Sequence, residues 1–203
     1  VDICNSAQVD KLILDYNPSA IINAAGYVRV DDAENDKENC YRANYLGSQK
    51  LAIACEQKNI KLLNFSSDLV FDGNCSKPYT EESQPNPINV YGKSKHLAEQ
   101  FLTRVNPSSL IVRTSCFFSA EDDYNFLTQM FKALETWQTF EAPEDIIISP
   151  TYVPDLVNAC LNLLIDDEKG IWNLNNNGAI SWYEFARTAC EMAGVNVYNL
   201  IPV

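Results

Sequence analysis

The sequence lacks any long hydrophobic run, and its 203 residues include a single histidine. No apolar stretch approaches the roughly 18 to 20 residues that a membrane-spanning helix needs. The opening residues contain no basic segment followed by an apolar one, so they do not resemble a signal peptide. We therefore expect a cytoplasmic protein without a membrane partner.

Basic residues are also scarce, since 15 Lys and Arg stand against 27 Asp and Glu and give a formal charge of −12. Such a chain repels phosphate-rich partners, which excludes an extended nucleic-acid surface and binding to an anionic membrane. The hydrophobic content of 46% is typical of a globular protein, and this length suits one large α/β domain or two small domains.

The seven cysteines are scattered singly without a Cys-x-x-Cys pair, and His96 is the one histidine. These residues offer no zinc-ligand spacing, so we predict no metal site and interpret the cysteines as reduced, small hydrophobic side chains. The acidic run Asp31–Asp36 is interpreted as a solvated loop or a helix start rather than a metal site.

Glycine is rare as well, and none of the seven glycines forms the Gly-x-Gly-x-x-Gly turn that binds the phosphates of a dinucleotide. The first predicted strand is already followed by a helix without that turn. Either the phosphate-binding turn lies before Val1, or the protein does not bind a dinucleotide.

Short apolar runs alternate with amphipathic segments, which predicts an α/β fold with a parallel sheet and helices on both faces. The first strand is predicted to be buried on both faces, and the polar stretch Ser67–Asn89 to be a long functional loop. The predicted strands are Ala20–Ala25, Ile60–Ser66, Ser109–Thr114, Ile146–Ile148 and Gly170–Leu174. The predicted helices are Asn39–Lys58, Val90–Val105, Tyr124–Trp137, Val153–Ile165 and Ser181–Ala193, the last with a capping box of Ser181 and Glu184.

Tyr91 and Lys95 are four residues apart at the start of a predicted helix, so both side chains project from one face. An ammonium group close to a phenol stabilises the phenolate and lowers its pKa, which makes the tyrosine a usable general acid or base. The spacing alone is weak evidence in a chain with ten tyrosines. Ser67 closes a predicted strand, where its hydroxyl could donate to a substrate carbonyl or simply cap a turn.

Four sequence blocks occur in a characteristic order: Asn23–Gly26, Ser66–Gly73, Pro87–Lys95 and Arg113–Ser115. Together they resemble the extended short-chain dehydrogenase/reductase superfamily, and within it the dTDP-4-dehydrorhamnose reductase (RmlD-like) family. The resemblance covers almost the whole chain. It implies a Rossmann-like doubly wound parallel sheet with a small C-terminal substrate-binding lobe.

The resemblance also implies the organisation and activity of the chain. Residues 1–142 would form a partial NAD(P)-binding domain whose glycine-rich first segment lies before Val1, and residues 143–203 the small lobe, with a terminal piece after Val203. The implied reaction is the NADPH- or NADH-dependent reduction of a 4-keto-6-deoxy nucleotide sugar in dTDP-L-rhamnose biosynthesis. The implied partners are a nucleotide-sugar substrate and, as a candidate assembly, a second copy in a homodimer.

By the same resemblance, Tyr91 is the proton donor to the sugar keto oxygen, Lys95 holds the nicotinamide ribose, and Ser67 hydrogen-bonds the reacting carbonyl. Asp68 and Cys116 would contact the sugar, Cys116 standing where the family often has tryptophan. The remaining implied cofactor-binding residues are Asp2, Ile3, Ala24, Ala25, Gly26, Tyr27, Val28 and Phe65.

Two other functions stay open at this point. The chain could be an epimerase or dehydratase of the same superfamily, although dehydratases usually carry an additional Glu beside the acidic residue, and Asp68 has none. It could instead be a non-catalytic regulatory subunit, because the regulatory subunit of methionine adenosyltransferase is similar to this family. Retention of Ser67, Tyr91 and Lys95 together favours catalysis.

Overall fold

A computed structural model describes residues 1–203. Its ten strands are β1 (Ala20–Asn23), β2 (Lys61–Ser67), β3 (Leu110–Thr114), β4 (Phe117–Phe118), β5 (Phe140–Ala142), β6 (Ile147–Ile148), β7 (Thr151–Tyr152), β8 (Gly170–Asn173), β9 (Ile180–Ser181) and β10 (Leu200–Pro202). Its seven α-helices are α1 (Ser6–Tyr16), α2 (Lys37–Tyr41), α3 (Gly47–Lys58), α4 (Val90–Val105), α5 (Phe126–Glu135), α6 (Val153–Ile165) and α7 (Trp182–Ala193).

The first of two compact units contains residues 1–114 and 160–173. Its centre is a four-stranded sheet in the order β1-β2-β3-β8, in which every pair of neighbours is parallel. The parallel sheet predicted from the sequence is therefore confirmed. Because the carboxyl ends of parallel strands meet at one edge, the last residues of β1, β2 and β3 lie along a common edge.

Apolar side chains from the sheet and from helices α1, α3 and α4 form the core of this unit. Leu62, Leu102 and Ile111 are among its fully enclosed members. The prediction that β1 is buried on both faces is wrong, since Ile22 is 45% exposed. The reason is that β1 is the edge strand of the sheet, where one row of side chains is covered less completely.

Helix α1, which begins after Asn5 and ends before Asn17, was not predicted from the sequence. The Asn5 side chain accepts a hydrogen bond from the Gln8 amide at 3.2 Å, and Asn17 adopts the left-handed conformation (φ 42°) that stops a helix. Only Val9 and Ile13 of this helix are buried. Two buried apolar residues one turn apart give too little hydrophobic periodicity for the helix to be predicted from the sequence.

The helix predicted from Asn39 to Lys58 runs from Lys37 to Lys58, but it contains a π-helical turn at Arg42–Leu46. A π turn inserts an extra residue into the helical ladder and changes which side chains face inward. Here it coincides with Asn44, which is 2% exposed. The periodicity of the sequence predicted the helix and not this interruption.

The second unit contains residues 115–159 and 174–203. The lobe predicted over residues 143–203 falls within this unit except for residues 160–173, and its boundary stays a prediction. The strands of the second unit form three short pairs, β4 with β7, β5 with β10 and β6 with β9, of which only the last is antiparallel. The predicted N-cap Ser181 accepts from the Glu184 amide at 3.1 Å, whereas the Glu184 carboxylate binds Arg187. The role of the second unit as a substrate-binding lobe stays a prediction.

None of the seven helices is both long enough and apolar enough to cross a membrane.

Candidate active site

The three predicted catalytic side chains lie together at the carboxyl edge of the parallel sheet. Ser67 is the last residue of β2, and Tyr91 and Lys95 project from the first turns of α4. The Ser67 hydroxyl lies close enough to the Tyr91 phenol to act on its pKa. The Lys95 Nζ atom lies 5.6 Å from the centre of the Tyr91 ring and donates to the Phe65 carbonyl at 3.1 Å.

The turn after β2 holds Ser67 in place. Ser67 has an extended backbone, its hydroxyl accepts from the Leu69 amide at 3.1 Å, and it donates to Asp68 Oδ1 at 3.0 Å. Ser67 therefore caps a turn and also faces Tyr91. The two interpretations that the sequence left open for Ser67, a turn cap and a member of the site, are both compatible with its position.

Helix α4 approaches this turn unusually closely at Gly92. A Cβ atom on Gly92 would lie 2.0 Å from the Leu69 carbonyl oxygen and 2.9 Å from its carbon, closer than any non-bonded contact permits. The same end of α4 is capped by Asn89, whose side chain accepts from the Gly92 amide at 2.7 Å. Glycine at this position lets Tyr91 reach Ser67.

The charge states of the pair differ from those predicted. The pKa of Tyr91 is raised to about 12, mainly by burial and secondly by the nearby charge of Asp68, while the Ser67 hydroxyl acts in the opposite direction. Burial lowers the pKa of Lys95 to about 8. The expectation that Lys95 lowers the pKa of Tyr91 is thus wrong here, because desolvation dominates and the ammonium binds the Phe65 carbonyl. Tyr91 is held as a neutral phenol.

The segment that follows β1 runs beside Lys95 and has little side-chain bulk. Ala24, Ala25 and Gly26 are all exposed and carry little or no side chain. A Cβ atom on Gly26 would lie 3.5 Å from Lys95 Nζ and 3.0 Å from Asn44 Oδ1. A flat ligand could therefore approach this backbone closely while contacting the lysine.

The other predicted cofactor residues lie in varied environments. The Tyr27 ring is buried in a cluster with Ala33, Cys40 and Val90, and Val28 is 66% exposed.

At the N-terminus of the chain, Asp2 forms an ion pair with Arg42 and accepts from the Cys4 amide at 2.9 Å. Ile3 packs on the core of the first unit and touches Gly47.

The predicted substrate residues belong to different units. Asp68 is exposed beside Ser67 in the first unit. Cys116 belongs to the second unit, where it has a left-handed backbone (φ 38°) and its carbonyl accepts from the Thr151 amide at 3.1 Å. The roles assigned to both residues stay predictions.

Sequence reasoning missed Asn44, which joins the segment after β1 to the helix that carries Tyr91 and Lys95. Its Oδ1 accepts from the Tyr27 amide at 2.8 Å, and its Nδ2 donates to the Tyr27 carbonyl at 3.2 Å and to Ser94 Oγ at 3.0 Å. An asparagine within a helical pattern gives no signal of this role, because its partners are distant in sequence.

We expect Asn44→Leu to destabilise the fold strongly. Leucine has a similar size but leaves the buried amide and carbonyl of Tyr27 without partners, at a cost of about 2 to 4 kcal/mol in the free energy of unfolding. Denaturant unfolding measures this difference. The control Asn158→Leu, at an exposed position on α6, should change stability by no more than about 0.5 kcal/mol. Equal effects of the two substitutions would contradict the structural role of Asn44.

The lowered pKa of Lys95 predicts a pH-dependent stability. Between the folded pKa of about 8 and the ordinary lysine pKa of 10.5, the unfolded chain holds a proton that the folded chain has lost, so stability rises with pH. Compared with Lys95→Met, the native protein should therefore gain about 2 kcal/mol between pH 8 and pH 10. Cys55 and Cys160, whose pKa values burial raises to about 11, are common to both proteins and cancel in the comparison. Parallel pH profiles would refute the prediction.

Comparisons with known proteins identify the family of this chain. A family model described as "RmlD substrate binding domain" matches residues 1–203. The chain is 36% identical over 192 residues to a dTDP-4-dehydrorhamnose reductase of Aggregatibacter actinomycetemcomitans, covering 92% of this chain and 65% of that protein. It is 34% identical over 180 residues to the spore coat polysaccharide biosynthesis protein SpsK of Bacillus subtilis, covering 89% of this chain and 63% of that protein. The chain thus spans somewhat less than two thirds of the length of these relatives.

A solved structure shares the fold over the full chain. The dTDP-4-dehydrorhamnose reductase of Bacillus anthracis, crystallised in complex with NADP, superimposes with a TM-score of 0.95 at 34% identity, covering 100% of this chain and 72% of that one. The Rossmann-like fold implied by the sequence resemblance is confirmed. On the match across its whole length, this chain belongs to the RmlD substrate binding domain family.

Proposed function

We propose that the protein containing this chain is an NADPH- or NADH-dependent reductase of a 4-keto-6-deoxy nucleotide sugar. The observation that carries the proposal is the position of a neutral, partly buried Tyr91 beside the Ser67 hydroxyl, with Lys95 next to the exposed segment after β1. NADPH or NADH, when bound, supplies the hydride.

Tyr91 serves as the proton donor in this proposal. Its raised pKa keeps the phenol protonated at neutral pH, and a sugar oxygen that gains negative charge during reduction is basic enough to take the proton. Ser67 donates a hydrogen bond to the same oxygen and stabilises the developing charge. Together the two hydroxyls orient the keto group.

Lys95 serves to hold the nicotinamide ribose. An ammonium group carries three N–H donors, and the contact with Phe65 uses one of them, so the others are available to ribose hydroxyls. The small residues Ala24, Ala25 and Gly26 let the ring and ribose lie against the backbone. Asp2, Ile3, Tyr27 and Val28 are proposed to contact the rest of the cofactor.

The charge state favours reduction over the other enzymatic candidates. A reaction that begins by oxidising a sugar hydroxyl needs a base, and a phenol whose pKa is raised by burial is a poor one. The presence of Ser67, Tyr91 and Lys95 together argues against a purely regulatory subunit, because docking to a partner requires neither a proton donor nor a buried lysine.

The proposed substrate is dTDP-linked, with Asp68 and Cys116 in contact with the sugar. The support is the name of the relatives, dTDP-4-dehydrorhamnose reductase, at identities of 30% to 36%. Production of dTDP-L-rhamnose for cell-surface polysaccharide, a cytoplasmic location and a homodimer stay predictions.

The decisive experiment supplies dTDP-4-keto-6-deoxy sugar to the protein containing this chain and follows the loss of reduced-nicotinamide absorbance, with NADPH and NADH compared. Substrate-dependent oxidation that needs Tyr91 supports the proposal. Cofactor binding without turnover of this or related keto sugars would instead indicate the regulatory function.

A further inference from the structure

A buried ion pair lies directly behind the proposed catalytic residues. Glu99 of α4 and Arg113 of β3 are 2% and 3% exposed. The guanidinium donates twice, from Nε to Oε1 and from Nη2 to Oε2, both at 2.7 Å. This two-bond geometry fixes orientation as well as distance.

Stability alone does not explain this pair. Desolvating two charges costs about as much as their attraction returns, so an apolar pair of similar volume is often equally stable or more stable. Arg113 Nη1 adds to the cost, because it is buried without a hydrogen-bond partner in the protein. A charged residue in the fully buried strand β3 therefore calls for another role.

The pair contacts both elements that carry the site. The Ser66 hydroxyl donates to Glu99 Oε1 at 2.6 Å, and the next residue along β2 is Ser67. On α4, Glu99 follows Lys95 by four residues and Tyr91 by eight, so all three share one helix face. The ion pair therefore connects α4 to the end of β2 through Glu99.

The same arginine reaches the loop between β2 and α4. The Arg113 guanidinium carbon lies 5.0 Å from the centre of the Phe71 ring. Phe71 stacks on Tyr79 with ring centres 4.2 Å apart, and the Tyr79 hydroxyl donates to Asp72 at 2.9 Å. One guanidinium therefore joins the sheet, the helix and the loop.

We propose that Glu99 and Arg113 are positioning residues that hold Ser67 and Tyr91 in register for proton transfer and keep the loop closed against β3. The inference rests on the proposed reductase function. The ion pair is expected to affect the rate of the chemical step and not the affinity for substrate or cofactor.

The test replaces both charges at once, with Glu99→Leu and Arg113→Met in one protein. Because the apolar pair fills the same space, we expect the thermal midpoint to be unchanged or higher. We expect kcat to fall by about 10- to 100-fold, with KM and cofactor affinity changed less than about threefold, since small misplacements act on the reacting geometry. Arg113→Lys, which keeps the charge but loses the two-bond geometry, should give an intermediate kcat.

A second measurement separates this inference from the proposed function. Cleavage by a glutamate-specific protease after Glu81 or Glu82, both exposed in the loop, should be faster in the double variant even if the native protein shows no sugar reduction. The control Ile13→Ala, which makes a cavity under α1 far along the chain from the site, should lower the thermal midpoint without changing kcat. A folded double variant with native kcat would overturn the positioning of Ser67 and Tyr91, and an unchanged cleavage rate would overturn the role of the pair in holding the loop.

Discussion

Tyr91→Phe is expected to lower kcat by about 10²- to 10⁴-fold, the usual contribution of a general acid. The substitution removes one hydroxyl and keeps the ring, which lies over Lys95 Nζ at 5.6 Å. Cofactor affinity should therefore change little, because Lys95 and the segment after β1 stay in place. Steady-state kinetics measure the first effect, and a cofactor-binding titration measures the second.

A matched control makes this result specific. Tyr16→Phe removes the same atom from a residue of α1 that is 77% exposed, and it should leave kcat unchanged. Undiminished turnover by Tyr91→Phe would show that another group donates the proton. A large loss of cofactor affinity would show that the hydroxyl mainly binds the cofactor.

Gly92→Ala should lower kcat nearly as much as Tyr91→Phe. It should also destabilise the protein, whereas replacing glycine by alanine within a helix usually stabilises it. Within a helix, this change commonly stabilises by about 0.5 to 1 kcal/mol, because alanine is the better helix former. Here the new methyl group would lie 2.0 Å from the Leu69 carbonyl oxygen, so the helix and the turn after Ser67 must separate. A displacement of about 1 Å can reduce the rate on the order of 10²-fold.

The measurements are kcat and the thermal midpoint, and we expect both to fall. Lys93→Ala, at the exposed position next along α4, serves as the control and should change neither appreciably. If Gly92→Ala behaved like an ordinary stabilising helix substitution with native kcat, the close approach of α4 to Leu69 would not be required for activity.

Helices and strands with a clear hydrophobic periodicity could be predicted to within about a residue of their bounds. The helix over Val90–Val105 and the strand before Ser67 were predicted within a residue of their observed bounds. By contrast, β4 and β7 contain two residues each, which is too short for any periodicity to appear. Such strands form only because the tertiary fold brings them side by side.

The residues of the candidate site were likewise predicted only in part. Ser67, Tyr91 and Lys95 were found from blocks that are local in sequence, and their proximity follows from the rule that parallel strands end at one edge. Asn44, Glu99 and Arg113 were not assigned roles, because their partners are 14 to 50 residues away. A signal was nevertheless present in Arg113, since a charge in a buried strand requires a partner.

From the sequence alone follow the α/β class, the order of the main strands and helices, the family, and the identity of the proposed proton donor. These depend on local periodicity and on motifs that stay together along the chain. The protonation of Tyr91, the need for glycine at position 92 and the ion pair behind the site were decided by the tertiary structure. Each depends on desolvation or on contact between distant segments, and both are set only when the chain is packed.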